Sequence, residues 1–218
     1  MGATSYRKGI SSKMPEHESQ AITLCDGTEV IIRHIRPEDA ARLQALFARL
    51  SPESIFFRFL GLRKELPDKE AEQLAGVDQQ SRMAFVATVQ QNGQEIVAVA
   101  RYAAIPETWP LEAEAAIVVQ DSYQGRGLGT ILMGRLATYA RTQGIHAFRA
   151  TVHQGNARIM RFIQRSGLPT RSRVEPGGLE IWIGLGPDRH PGDGGPSGVA
   201  EAEISHARRA TRCLCAIA

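Results

Sequence analysis

AEAAIVVQDSYQGRGLGTILMGRLATYAR, from Ala113 to Arg141, is the segment of the sequence with the clearest structural pattern. Its early part, from Ala115 to Val119, is a continuous apolar run rich in β-branched residues, which predicts a buried strand. Polar residues end this strand, and a glycine-rich segment, Gln124 to Gly129, follows it. Apolar side chains then recur at helical spacing, at Leu128, Ile131, Leu132, Leu136, Tyr139 and Ala140. The predicted order is strand, glycine turn and helix.

The glycine turn has the composition of a phosphate-binding loop. Gly125, Gly127 and Gly129 leave backbone amides uncovered by side chains, and the helix behind them adds its positive dipole end. The loop of nucleotide hydrolases is excluded because no Gly-Lys-Ser/Thr follows, and Gly-x-Gly-x-Gly is not the Gly-x-Gly-x-x-Gly of dinucleotide folds. The alternative is that the glycines only make a tight strand-to-helix turn.

Gln-x-x-Gly-x-Gly opening a helix after a β-branched strand resembles the acyl-CoA pyrophosphate loop of the GNAT superfamily of N-acetyltransferases. The resemblance covers Thr28 to Leu185. It implies an α/β (α+β) fold, a single GNAT-like domain whose mixed, mostly antiparallel central sheet has about six to seven strands flanked by helices. It also implies acetyl-CoA as the acyl donor. No metal is predicted, because Cys213-x-Cys215 lacks partners for a metal site.

Hydrophobic periodicity and turn signals place the other elements of this fold. Strands are predicted at 29–35, 83–90, 95–102, 146–152 and 179–185, and helices at 37–50, 51–60, 67–75 and 156–166. Asn92-Gly93, between two of the strands, is a strong signal for a hairpin.

Composition indicates one domain, over residues 21–186. A chain of 218 residues with 43% hydrophobic content can bury one full core. Residues 1–20 lack an apolar signal core and are predicted to be a disordered lead, and the Gly/Pro-rich segment 187–218 a flexible extension. Cys25, Cys213 and Cys215 have no zinc spacing and are interpreted as reduced thiols of a cytoplasmic protein. No apolar run is long enough to span a membrane.

Charge is distributed unevenly although the net charge is only +3. Between Tyr123 and Arg173 the sequence contains nine arginines and no Asp or Glu. These arginines form either an ordinary solvated helix face or a basic surface around the glycine turn. Nucleic acid is not a predicted partner, because the total charge is small and no reader motif is present.

RPEDAARLQALFARLSPESIFFRFLG and EAEAAIVVQDSYQGRGLG are similar to bacterial protein lysine acetyltransferases of the Pat type. This resemblance implies that Glu114 is the general base. Such a base is needed because only about one lysine amine in a thousand is neutral at pH 7. Strand alternation puts Glu112 on the same face, where it could bind a cationic substrate. The alternative is that both glutamates are simply exposed at the start of a strand.

The resemblance also implies the cofactor-binding residues. A strand amide near Val119, with Val118 beside it, polarises the acetyl carbonyl, and Asn156 contacts the pantetheine arm. The pyrophosphate is held by the amides of Gln124, Gly125, Arg126, Gly127, Leu128, Gly129 and Thr130. The Arg126 side chain could also reach a phosphate, and Asn156 could instead be only a helix N-cap.

Two further residues concern the acceptor and the leaving group. His153 is a candidate substrate contact or an ordinary surface histidine. Ile163 occupies the position at which many GNAT enzymes carry a tyrosine that protonates the departing thiolate, so this chain has no phenol there. Tyr123 is the nearest other phenol in sequence.

The sequence therefore predicts direct acetyl transfer, in a ternary complex, from acetyl-CoA to a protein lysine. Acyl-CoA synthetase-like enzymes are the protein substrates that the Pat resemblance suggests. Two alternatives stay open: a small amine acceptor such as a polyamine or an aminoglycoside, and a non-catalytic acyl-CoA sensor. The oligomeric state does not follow from the sequence.

Overall fold

A computed structural model describes residues 19–90 and 94–186 of the chain. Its strands are β1 (Gln20–Thr23), β2 (Glu29–His34), β3 (Arg82–Val89), β4 (Glu95–Ile105), β5 (Glu112–Val119), β6 (Ala147–Val152), β7 (Thr170–Glu175) and β8 (Gly178–Gly184). Its helices are α1 (Ala40–Ala48), α2 (Pro52–Phe59), α3 (Asp68–Ala75), α4 (Leu128–Thr142) and α5 (Ala157–Ser166). Short 3-10 turns at Pro37–Asp39 and Asp121–Tyr123 precede α1 and the glycine segment.

The strands form one sheet in the order β1-β2-β3-β4-β5-β6-β8-β7. Neighbouring strands are antiparallel except β5 and β6, which run parallel. The ladder between β5 and β6 consists of three residue pairs, from Glu112–Ala147 to Glu114–Arg149. Beyond Glu114 the two strands part, and the sheet opens at the end of β5 that leads into the glycine turn.

Both faces of the sheet are covered at β5. Ala115 and Ile117 face one hydrophobic cluster, which includes Leu132 and Leu136 of α4. Val118 faces the second cluster, where α1 and α3 pack. This double burial explains why β5 reads as an unbroken apolar run rather than an alternating one.

A buried ion pair fixes the junction between β2 and α1. Asp39 is 1% exposed, and its carboxylate accepts hydrogen bonds from Nη1 and Nη2 of Arg33 at 2.6 and 2.8 Å. The backbone amide of Arg36 donates to the same carboxylate at 2.9 Å, and Arg42 Nη1 approaches it at 3.2 Å. The start of α1 is therefore tied to the sheet by charge-assisted hydrogen bonds.

The structure confirms the predicted fold, with two strands that the sequence pattern missed. The mostly antiparallel sheet, the strand-turn-helix unit and the hairpin between β3 and β4 are as predicted. β1 and β7 raise the strand number to eight within the described ranges. The predicted hairpin tip at 91–93, most of the predicted lead at 1–20 and the extension at 187–218, with Cys213 and Cys215, lie outside the described residues.

Cys25 is an exposed free thiol. None of the helices in the described part of the chain is both long and apolar enough to cross a membrane.

Candidate functional site

The three glycines of the turn have two different structural roles. Gly125 and Gly127 have φ of +76° and +85°, in the left-handed region that favours glycine. Gly129 lies within α4, where a Cβ would contact Ile117 Cδ1 at 3.4 Å and Val119 Cγ2 at 3.9 Å. Thus Gly125 and Gly127 set the shape of the turn, whereas Gly129 lets α4 pack closely against β5.

This geometry leaves a run of backbone amides without acceptors. The amide of Ile131 donates to Gly127 O at 3.2 Å, and the amide of Gln124 donates to Asp121 O at 3.2 Å. Between them, the six amides from Gly125 to Thr130 donate to no acceptor among the residues that the structure describes. Unpaired amides at the start of a helix are an anion-binding site, since the helix dipole adds to their partial charges.

The Val119 amide lies at the edge of β5 beside the turn. The amide of Gln120 donates to Val97 O of β4 at 2.8 Å. Because successive amides of a strand point to opposite sides, the Val119 amide points away from β4, toward the opening between β5 and β6. The same alternation turns the Val118 amide toward β4, so only the Val118 side chain is left for contact with a ligand.

Gln124 connects the start of the turn to two helices. Its Nε2 donates to Val119 O at 2.8 Å and to Ser54 Oγ of α2 at 3.2 Å. Its Oε1 accepts a hydrogen bond from Arg158 Nη1 of α5. Gln124 therefore holds the turn in place with its side chain.

Arg126 is engaged by the turn between β1 and β2. Its guanidinium pairs with Asp26, and Nη1 lies 3.3 Å from Thr28 Oγ1. The guanidinium also lies over the Tyr123 ring, 5.2 Å from its centroid, and Cys25 Sγ approaches Arg126 O at 3.5 Å. Contact between Arg126 and a phosphate stays a prediction that requires it to share or leave Asp26.

Glu114 occupies the last rung before β5 and β6 part. It is half-buried, paired in register with Ala103 of β4 and Arg149 of β6. By alternation it shares the sheet face of Ala116 and Val118. Its side chain therefore lies on the face of the sheet that α1, α2 and α3 cover.

Glu112 shares that face, as predicted, but it belongs to a network of charges. Its carboxylate lies 3.9 Å from both Arg149 Nη1 and Arg171 Nη2. Arg149 in turn pairs with Glu180 at 2.6 Å. The guanidinium groups of Arg149 and Arg171 lie 5.3 and 4.6 Å from the centroid of the Trp182 ring. Binding of a cationic substrate by Glu112 would have to compete with these arginines.

Asn156 caps α5, and the structure brings His153 next to α2. Asn156 is 2% exposed, and its Oδ1 accepts from the Ile159 amide at 3.1 Å, so the helix-cap role is observed.

The His153 ring lies 5.2 Å from the Phe56 ring and 5.9 Å from the Phe57 ring, centroid to centroid. Ile163 is buried in the core, 4% exposed.

The arginine-rich stretch does not form one basic surface around the turn. Arg126 and Arg158 lie at the turn, whereas Arg149, Arg171 and Arg173 lie on β6 and β7 with carboxylate partners from β5, β7 and β8. The absence of acids between Tyr123 and Arg173 is therefore compensated by other segments. No cluster of three or more His, Cys, Asp or Glu side chains in the described ranges could hold a metal ion.

Sequence reasoning missed the contacts of Asp121, the residue that follows β5 by two positions. Its carboxylate accepts from the Ser51 amide at 2.9 Å, from Ser51 Oγ at 2.7 Å and from Ser54 Oγ at 2.8 Å. Burial works to raise the pKa of Asp121, but these hydrogen bonds outweigh it and hold the pKa below its usual range. Ser51-Pro52-Glu53 is a recognisable helix start, yet nothing local in the sequence indicates its partner.

Comparison with known proteins shows that this region is similar to acetyltransferases. The model of the acetyltransferase (GNAT) family matches residues 47–168. An acetyltransferase of Pseudomonas aeruginosa is 42% identical over 123 residues, which are 56% of this chain and 65% of that protein. The acetyltransferase Pat of Mycolicibacterium smegmatis is 32% identical over 137 residues, 62% of this chain and 40% of that protein. The chain thus spans less than two thirds of the length of both relatives.

A smaller enzyme and a solved structure are also similar. The L-methionine sulfoximine/L-methionine sulfone acetyltransferase of P. aeruginosa is 28% identical over 123 residues, 50% of this chain and 72% of that enzyme. The crystal structure of the GNAT domain of Pat from S. lividans superimposes with a TM-score of 0.70 at 31% identity, covering 76% of this chain and 96% of that domain.

Proposed function

Because this chain belongs to the acetyltransferase (GNAT) family, we propose that it transfers an acetyl group from acetyl-CoA directly to the side-chain amine of a protein lysine. The observation that carries the proposal is the run of six acceptorless amides, Gly125 to Thr130, at the start of α4 beside the opening between β5 and β6. A diphosphate fits these amides, and an extended pantetheine arm fits an opening lined by strand edges.

The residues at the opening can be assigned roles in this reaction. The six amides from Gly125 to Thr130 would hold the diphosphate, whereas the predicted contribution of the Gln124 amide is corrected, because that amide already donates to Asp121 O. Asn156 would lie along the pantetheine arm. The Val119 amide, which points into the opening, would donate to the thioester oxygen and stabilise the charge that develops there. Acetyl-CoA supplies the activated acyl group, so the protein needs no nucleophile of its own.

Proton transfer falls to Glu114. Attack requires the neutral amine, and a carboxylate at the last rung of the β5–β6 ladder is placed to accept the proton as the new bond forms. The departing sulfur needs less help, because a thiol has a pKa near 8.5 and can leave as the thiolate. Ile163 offers no proton to it, which fits a reaction without an acid from α5.

A protein lysine is favoured as the acceptor by the Pat proteins among the similar sequences and structures. We further propose a cytoplasmic location, since acetyl-CoA and reduced thiols coexist there, and acyl-CoA synthetase-like enzymes as candidate substrates.

One observation favours a second candidate, a small amine. The matched residues are 72% of the sulfoximine and sulfone acetyltransferase, a larger share than the 40% of Pat from M. smegmatis that this chain covers. A third candidate, an acyl-CoA sensor without turnover, would keep the amide site and lack transfer.

An acceptor panel tests the proposal. Purified protein is mixed with acetyl-CoA and with lysine peptides, an intact acyl-CoA synthetase, polyamines, aminoglycosides or methionine sulfoximine, and free thiol is followed with a thiol-reactive dye. We expect thiol release with the lysine-bearing acceptors, verified by mass spectrometry of the modified lysine. Release only with small amines would replace the lysine proposal. Calorimetric binding of acetyl-CoA without release to any acceptor would favour the sensor.

Gly127→Val is expected to weaken the binding of coenzyme A about tenfold or more. A β-branched side chain at φ +85° costs about 1–2 kcal/mol, so the variant loop should leave the conformation that aligns its amides. Titration calorimetry with coenzyme A measures the loss.

Gly134→Ala is the matched control for Gly127→Val. Gly134 is an exposed glycine of α4 at which a Cβ would meet nothing within 4 Å. Alanine there should keep coenzyme A affinity and slightly raise the melting temperature, since alanine favours the helix. A folded Gly127→Val variant with the affinity of the control would remove the amide run from its role.

A further inference from the structure

We propose that Asp121 and Ser54 couple the cofactor turn to α2, so that occupation of the amide site orders the helix on the acceptor side of the sheet. The inference rests on the proposed function, because it takes coenzyme A as the occupant of the amides at 125–130. It concerns positioning residues, which act through α2 and do not touch the reacting atoms.

The contacts converge on the first turn of α2. Asp121 receives three hydrogen bonds from that turn, one from the Ser51 amide and two from the hydroxyls of Ser51 and Ser54. Ser51 Oγ is also the N-cap of α2, accepting from the Ser54 amide at 3.2 Å. The start of α2 is thus held by the carboxylate of Asp121, which lies between β5 and the cofactor turn, about 70 residues away in sequence.

Ser54 is the shared member of two contacts from the same segment. Its hydroxyl donates to Asp121 Oδ1 and accepts from Gln124 Nε2, and the residue is only 3% exposed. Gln124 directly precedes the acceptorless amides and also binds Val119 O. An anion that fixes the turn would therefore fix Gln124 and Asp121 together, and with them the first turn of α2.

The second turn of α2 lies beside the residue that follows β6. The rings of Phe56 and Phe57 contact the ring of His153, which follows β6. α2 therefore extends from the end of β5 toward the end of β6. α2 also packs on β5, whose Glu114 lies on the same face of the sheet as the helix. α2 therefore lies on the face of the sheet that carries Glu114, and in this proposal its order affects how well an amine is received.

Coupling of this kind needs no large movement. Ordering the turn with one ligand lowers the entropic cost of ordering α2 for the next, which gives positive cooperativity between donor and acceptor. Such couplings are usually about 5- to 150-fold in affinity.

Hydrogen exchange of the full chain, with and without saturating coenzyme A, tests the inference without an acceptor. In the wild-type protein, we expect coenzyme A to slow exchange in peptides covering 124–132 and, by about fivefold or more, in peptides covering 52–59. In Asp121→Asn and in Ser54→Ala, protection at 124–132 should persist, while the ligand-dependent protection at 52–59 should fall below about twofold.

Two variants and a control guard against loss of folding. Asp121→Asn replaces one carboxylate oxygen by an NH2 group, which cannot accept a hydrogen bond from the first turn of α2. Ser54→Ala removes one hydroxyl and leaves the N-cap intact. Glu53→Gln removes an exposed charge from the same helical turn and should behave as wild type. Thermal unfolding by circular dichroism verifies each variant.

The outcomes are distinguishable. Protection at 124–132 without protection at 52–59 in the wild type would overturn the coupling and leave the proposed function standing. Protection at 52–59 that survives in both variants would also overturn it. Loss of coenzyme A binding in Asp121→Asn would show a direct role in the cofactor site instead of a positioning role. No protection at 124–132 in the wild type would overturn the proposed function and the coupling together.

Discussion

Replacing Glu114 by Gln is expected to lower kcat by 10²-fold or more, while the affinity for acetyl-CoA stays within about twofold of the wild-type value. Glutamine has nearly the shape of glutamate and cannot take the proton of the attacking amine. The variant must then rely on the small fraction of amine that is neutral in solution. Thiol release measured at saturating acetyl-CoA gives kcat, and calorimetry gives the donor affinity.

The pH dependence separates a missing base from a distorted site. The neutral fraction of a lysine amine rises about tenfold per pH unit until its pKa near 10.4. The defect of Glu114→Gln should therefore shrink as the pH is raised from 7 toward 10. A defect that is the same at every pH would indicate lost geometry, and a kcat within about twofold of wild type at pH 7 would exclude Glu114 as the base.

Glu112→Gln is the matched control, because Glu112 lies two residues earlier on the same strand face. Its carboxylate is 3.9 Å from Arg149 and Arg171, so its loss removes one negative charge that faces these two arginines. We expect less than about a tenfold change in kcat, since no proton transfer depends on it. An effect on KM for a cationic peptide would identify Glu112 as a substrate contact.

The glycine turn could be predicted from sequence because its constraint is local. Gly125 and Gly127 need positive φ, and glycine adopts that conformation at little cost. The strand before it and the helix after it have strong and different periodicities, so their order was evident. The same local logic predicted the helix start at Ser51 but could say nothing of Asp121, whose contacts depend on tertiary packing.

The two missed strands carry little sequence signal. β1 has four residues and lies at the edge of the sheet, and β7, TRSRVE, is polar and largely exposed. β7 is held by its ladder with β8, not by burial of its own side chains. Hydrophobic alternation cannot identify such strands, because their pairing partner supplies most of the stabilisation.

Side-chain partners over long sequence separations were the other limit. The place of Arg126 in the turn predicts that it can reach a phosphate, and the structure shows it paired with Asp26, 100 residues away. Strand alternation predicts that Glu112 can bind a cationic substrate, and the structure shows Arg149 and Arg171 next to it. Both expectations remain testable, but each ligand must now compete with a partner within the chain.

Asp39→Ala is expected to lower the free energy of unfolding by about 3–5 kcal/mol, the largest stability effect that we predict for a single substitution. The change leaves the Arg33 guanidinium, whose side chain is 6% exposed, buried without its carboxylate. Total stabilities of domains are about 5–15 kcal/mol, so the variant should unfold at a much lower urea concentration. Urea unfolding followed by circular dichroism measures the difference.

The pH dependence of this difference has a defined sign. Burial works to raise the pKa of Asp39, but hydrogen bonds from Arg33 and from the Arg36 amide outweigh burial and hold the pKa below its usual range. A carboxyl group whose folded pKa is lowered stabilises the protein above its unfolded pKa of about 3.9, and the contribution is lost as the pH falls through the folded value. The gap between wild type and Asp39→Ala should therefore narrow below about pH 4.

Two comparisons separate the effect of the buried Arg33–Asp39 pair from that of a partly exposed ion pair. Glu70→Ala breaks the Arg63–Glu70 pair, whose side chains are 26% and 19% exposed, and should cost no more than about 1 kcal/mol. The double variant Arg33→Met, Asp39→Leu removes both charges and should recover much of the loss, because the penalty of Asp39→Ala comes mainly from the unpaired guanidinium. If Asp39→Ala cost no more than Glu70→Ala, the pair would not be what fixes the junction of β2 and α1, and α1 would have to be held by its apolar contacts alone.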